Sequence, residues 1–141
     1  MSNPRLSLDL TGAIIPSDML TINFQANFGS EKAAGHEVSG AVADASWMGF
    51  GLQPVVKAGG ASVGARFEYF KDTKGSRTLV ANDPSYINFT ITPGYTFDGA
   101  FTLRAEFRVD TSSEEVLGVA DAAGAHKKNQ STIALGAHYV F

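Results

Sequence analysis

The stretch YINFTITPGYTFDGAFTLRAEFRVD, Tyr86 to Asp110, decides the fold. In its second half Phe101, Leu103, Ala105, Phe107 and Val109 alternate with Thr102, Arg104, Glu106, Arg108 and Asp110, the two-residue period of a strand whose faces meet different surroundings. In its first half Ile87, Phe89, Ile91, Pro93, Tyr95 and Phe97 alternate with Tyr86, Asn88, Thr90, Thr92, Gly94 and Thr96. Asp98-Gly99 joins the halves, and this dipeptide suits a type I′ hairpin because both turn positions need positive φ. Pro93 lacks a ladder donor, so a bulge is expected there.

The same period recurs outward from this hairpin. Towards the C-terminus Ile133, Leu135, Ala137, Tyr139 and Phe141 oppose Thr132, Ala134, Gly136, His138 and Val140. Upstream, Ala61 to Tyr69, Leu20 to Phe28 and Leu6 to Leu10 show it too. A further strand from about Gly40 to Leu52 has ambiguous facing, since either Trp47 or the Met48/Phe50/Leu52 set can be its apolar side. Seven strands and no helix are expected, as one all-β domain over residues 1–141.

Composition agrees. The 141 residues are 44% hydrophobic but only 18% charged, below the roughly 25% charged of an ordinary soluble domain. The net charge of −3 leaves no basic excess for a phosphate backbone, which argues against nucleic acid as a partner. The absence of cysteine excludes disulfides, thiolate metal sites and a cysteine nucleophile. No uncharged run reaches the roughly 18 residues of a transmembrane helix. The opening MSNPRLSLDL lacks the layout of a secretory signal, so a signal is expected to have been removed or to lie upstream of this piece.

Strands of ten to twelve residues, at about 3.3 Å each and a tilt of about 45°, cover roughly 25 Å, the height of the lipid-facing band of an outer-membrane barrel. The polar faces mix Thr, Ser, Asn, Gln and Gly with Arg66, Glu68, Arg104, Glu106, Arg108 and Asp110, as in a wet lumen. Aromatic residues recur near strand ends at Phe28, Tyr69, Phe97, Phe101, Tyr139 and Phe141, suiting headgroup depth. Connections alternate: short (Pro16–Asp18), long (Ser30–Glu37), intermediate (Gln53–Gly59), long (Asp72–Ser85), two residues (Asp98, Gly99) and long (Thr111–His126). The expected architecture is an antiparallel up-and-down transmembrane β-barrel with short periplasmic turns and long outer loops. A soluble lipocalin-like barrel shows the same alternation with its apolar set inward.

The pieces ASWMGFGL (Ala45–Leu52), ARFEYFKDTKGSRT (Ala65–Thr78), ITPGYTFDGAFTLRAEFRVDTSSEEVL (Ile91–Leu117) and KKNQSTIALGAHYVF (Lys127–Phe141) resemble, in order and spacing, the OmpL-like putative β-barrel porin family. The segment from Leu10 to Gly29 fits the family's strand–turn–strand. The resemblance implies a Gram-negative outer-membrane protein that acts as a diffusion channel for small hydrophilic solutes or ions. Its implied partners are outer-membrane lipid and lipopolysaccharide, with homo-oligomers open. Terminal Phe141, with Tyr139 two residues before it, resembles the signal read by the barrel assembly machinery. Family members are longer, and the match is to their C-terminal part. Strand parity points the same way: an odd count leaves the two chain ends on opposite sides, so a C-terminal fragment of a larger barrel is expected.

Other chemistry has little support. His36 and His126 are expected in loops and His138 on a polar face, with no metal-ligand spacing between them. Arg104, Glu106, Arg108 and Asp110 recur every second residue, a ladder that either biases ion passage or braces the wall. No cofactor and no enzymatic activity are expected. A lipid hydrolase would need a serine beside His138; Ser131 is too far along its own strand, and Ser62 is the open candidate. A structural or adhesive barrel is the remaining alternative. The segment DTSSEEV with Asp72 and Asp83 reads as solvated loop charge, or less readily as a divalent-cation site.

Overall fold

Seven antiparallel strands follow one another in a single sheet, β1-β2-β3-β4-β5-β6-β7, in a computed structural model that describes residues 4–36, 40–80, 83–118 and 124–141. They are β1 (Arg5–Ser17), β2 (Leu20–His36), β3 (Val42–Ala58), β4 (Ala61–Thr73), β5 (Ser85–Phe97), β6 (Phe101–Ser112) and β7 (Asn129–Tyr139). Among the described residues there is no helix, and the sheet is open, with β1 and β7 at its edges. The all-β, up-and-down expectation is borne out.

The hairpin read first has the expected geometry: Asp98 and Gly99 take φ of 49° and 71°, and the Ala100 N–H donates to the Phe97 carbonyl at 3.0 Å. Several strands run further than the alternation suggested. β3 continues through Gln53–Ala58, where an intermediate connection was expected, and turns at Gly59-Gly60; β2 continues to His36, which ends a strand rather than lying in a loop. The adjacent valines Val55 and Val56 break the pattern locally, but pairing with Leu20 and Thr21 holds the backbone extended. The long and short joints therefore alternate more cleanly than the sequence implied.

The bulge expected at Pro93 is absent. The β5–β6 ladder passes from Ile91↔Phe107 to Gly94↔Arg104 in unchanged register, so the missing donor costs two pairings and no residue. Pro54 sits in a matching gap between Leu52↔Phe67 and Val55↔Gly64. The register shifts lie instead between Ile14 and Ser17, around Pro16, and between Glu31 and Gly35, where Ala33 has φ of 51°.

The sheet is inside-out by the standard of a water-soluble domain. Among the described residues the only buried hydrophobic side chains are Ala45 and Trp47, both on the polar face, whereas Phe101, Leu103, Phe107, Ile133 and Leu135 are 38%, 45%, 47%, 76% and 84% exposed. Polar Asn88, Thr90 and Asp72 are buried, because the sheet curves and their face is its concave side. Cavities on that side are lined jointly by distant strands, as with Lys57 of β3 and His138 of β7. A lipocalin-like arrangement has the opposite polarity. The ambiguous strand is settled as well: Met48, Phe50 and Leu52 point outward, and Trp47 lies inside.

The outer apolar band runs from the Phe97–Phe101–Tyr139 row to the Phe50–Tyr69–Ile87 row. That is ten residue-to-residue steps along β5, from Ile87 to Phe97, roughly 33 Å of strand, or about 25 Å once tilted by about 40°. Tyr95, Phe97 and Phe101 cluster at the short-turn end, with ring centroids 4.7 and 6.1 Å apart. Above the band Lys71 and Asn129 share the outward parity.

Candidate functional site

Register converts the period of each strand into rows that cross the concave face. One row holds Thr11, Gln25, Gly51, Glu68, Asn88, Asp110 and Gln130. The next rung towards the short turns holds Arg66, Thr90, Arg108 and Thr132. Carboxylates and guanidiniums thus occupy neighbouring rungs, and they pair along their own strands. Arg108 grips Asp110 in a fork, with Nε 2.9 Å from Oδ2 and the Nη2 amine 2.8 Å from Oδ1. Asn88 donates to the same Oδ1 at 2.8 Å, and Thr90 donates to Asn88 at 2.9 Å, so the belt is braced from β5. On β4 the Arg66 Nε lies 3.3 Å from Glu68 Oε2 but is not aligned for a hydrogen bond, leaving a charge contact alone.

Of the residues singled out in the sequence, all six charged ones face this side, yet they do not form one ladder. Arg66–Glu68 and Arg108–Asp110 are closed pairs. Arg104 and Glu106 make no ion pair among the described residues. Arg104 lies flat across Gly136, where an added Cβ would come within 3.2 Å of its Nε. Tyr139 pairs with Phe101 and is exposed on the outer face, and Phe141 follows the last strand fully exposed.

A second cluster, towards the long loops, was not legible as a unit. Asp72 is completely buried and accepts hydrogen bonds from the Arg77 N–H (2.9 Å), the Thr78 N–H (2.7 Å), the Thr78 hydroxyl (2.8 Å) and the Ser76 hydroxyl (3.4 Å). This carboxylate folds residues 76–78 inward over the concave face. Arg77 then reaches Glu31 at 2.5 Å and places its guanidinium carbon 4.3 Å from the Trp47 ring centroid; Arg5 lies 5.3 Å from the same ring. The indole in turn occupies the space above Gly29, where a Cβ would stand 2.0 Å from it. The reading of Asp72 as solvated loop charge, or as part of a cation site, is therefore corrected: its lone pairs are taken up by the loop. Asp83 likewise accepts the Lys74 N–H at 2.8 Å. The sequence signal that announces this cluster is Asp72 followed by Ser76 and Thr78, short donors close behind a carboxylate.

His138 lies opposite Thr102 on the concave face, and among the described residues it forms no hydrogen bond with a serine hydroxyl. Ser131 has the opposite parity and faces outward. Among the described residues no group of His, Asp and Glu is arranged to hold a metal.

An apolar convex face around a polar, charge-bearing concave face defines the wall of a porin-type β-barrel. A profile of the family described as putative β-barrel porin-2, OmpL-like, matches residues 2–141, and the chain belongs to that family. No match is found among the curated proteins or the solved structures.

Proposed function

We propose that this chain forms wall of an outer-membrane channel through which small hydrophilic solutes or ions diffuse, with no enzymatic step. The observation that carries the reading is the polarity of the sheet: side chains that would each gain about 1.5–3 kcal/mol on burial are turned outward, while the rows of Arg, Glu, Asp and Asn face a concave space. Only acyl chains outside and water inside make both faces favourable. Lipid and lipopolysaccharide contact the convex face, and the exposed Tyr139 and Phe141 are the signal for the assembly machinery of a Gram-negative outer membrane. A conducting wall has no free edge in hydrocarbon, because each orphan backbone group costs several kcal/mol. The β1 and β7 edges are therefore where the barrel is completed, by further strands or another copy.

Reconstitution into planar bilayers tests the reading. Discrete conductance steps are expected, with a shift towards cation selectivity in Arg104→Glu and Arg108→Glu. Absence of current, or selectivity indifferent to both substitutions, speaks for a plugged structural or adhesive barrel instead.

A further inference from the structure

The charged rung nearest the short turns differs from the others in how its cations are partnered. Lys57, Ser62, Gly94, Arg104 and Gly136 form one continuous row across β3 to β7, and among the described residues neither of its two cations meets a carboxylate. The other four arginines of the chain each meet an acidic partner: Arg5 and Arg77 at Glu31, Arg66 at Glu68 and Arg108 at Asp110. Arg104 meets none among the described residues and is exposed to the concave space. Its two row neighbours are glycines, so no side chain stands between its guanidinium and the lumen. Lys57, Arg66, Arg104 and His138 line one cavity of about 700 Å³, together with the Ser62, Thr92, Thr96 and Thr102 hydroxyls; Glu106, one rung away, is the only carboxylate in its lining among the described residues.

We propose that this cavity is a binding station for one small oxyanion, the carboxylate, sulfate or phosphate group of a permeating solute, held by Arg104 with Lys57 and the hydroxyls as auxiliary donors. The proposal rests on the channel reading, since it takes the concave face as the water path, and it adds the class of solute. The chemistry fits on three counts. A guanidinium without a carboxylate partner keeps its donors for an incoming anion. The hydroxyls supply the remaining hydrogen bonds. Glu106 limits the affinity, as passage requires, because a station that holds its solute too tightly stops conduction.

Inorganic phosphate titrated at low salt into the detergent-folded chain, followed by phosphorus NMR line broadening, tests this without any current. Saturable binding in the millimolar range is expected. Arg104→Gln should weaken it about tenfold, the loss of one charge-assisted contact. Glu106→Gln should tighten it about threefold by removing the one repulsive charge nearby, a gain that misfolding does not produce. No saturable binding in the parent chain, equal affinity in Arg104→Gln, or no gain in Glu106→Gln overturns the station. A chain that conducts without binding phosphate refutes the station alone. A chain that binds phosphate and carries no current refutes the channel alone.

Discussion

The two halves of the concave face use the same residue types to opposite ends. Towards the long loops every arginine is compensated: Arg108 by Asp110, Arg66 by Glu68, and Arg5 and Arg77 by Glu31 beside Trp47, with Asp72 holding the inward loop. Towards the short turns Arg104 stands unpaired, beside glycine on both neighbouring strands. Paired charges fix geometry, because each partner satisfies the other. An unpaired charge over open space leaves its donors for something that comes and goes. Charge count alone does not separate bracing from passage; pairing does.

The largest effect that breaks this contrast is expected from Asp72→Ala. It leaves two backbone donors and two hydroxyls without their acceptor, and urea unfolding of the detergent-folded chain should show a loss of about 4 kcal/mol. The Trp47 emission should shift to the red as Arg77 leaves the ring. A loss under about 1 kcal/mol would mean that the loop is held by something else.

A comparison across the wall comes next. Phe107→Arg places a charge on the convex face near the middle of the apolar band, and a cost of about 2–4 kcal/mol is expected in lipid vesicles. Thr132→Arg, one residue from Ile133 but on the concave face, should cost less than about 1 kcal/mol. Equal costs would remove the assignment of the two faces.

The smallest effect sharpens the contrast most. Arg108→Gln should destabilise by about 1 kcal/mol, since it strips Asp110 of its fork while leaving Asn88 in place. Arg104→Gln should leave the unfolding midpoint unchanged, because no pair is broken. If Arg104→Gln is the costlier of the two, the division into bracing and free rungs fails.

The separation of the two faces was legible before any coordinates, because a strand's two-residue period is local. Phe101 to Asp110 carries it without reference to any neighbour, and the Asp98-Gly99 turn is equally self-contained. Where local signals were mixed, the outcome needed partners. Trp47 versus Met48/Phe50/Leu52 was decided by the clearance over Gly29 on β2 and by the inward Arg77. Pro93 was expected to force a bulge, yet the β5–β6 ladder tolerates its missing donor as a gap.

The sequence by itself determined that this chain makes long two-faced strands, antiparallel and joined by alternating short and long connections, with oily residues on one side and charges on the other. Only the tertiary structure decided which charges meet. Arg104 and Arg108 look alike along β6, each followed two residues later by a carboxylate. Asn88 on β5 braces the Arg108–Asp110 pair, whereas Arg104 lies across Gly136 on β7 and away from Glu106. That choice depends on what adjoining strands place beside each side chain, a matter of cross-strand register that no stretch of one strand encodes.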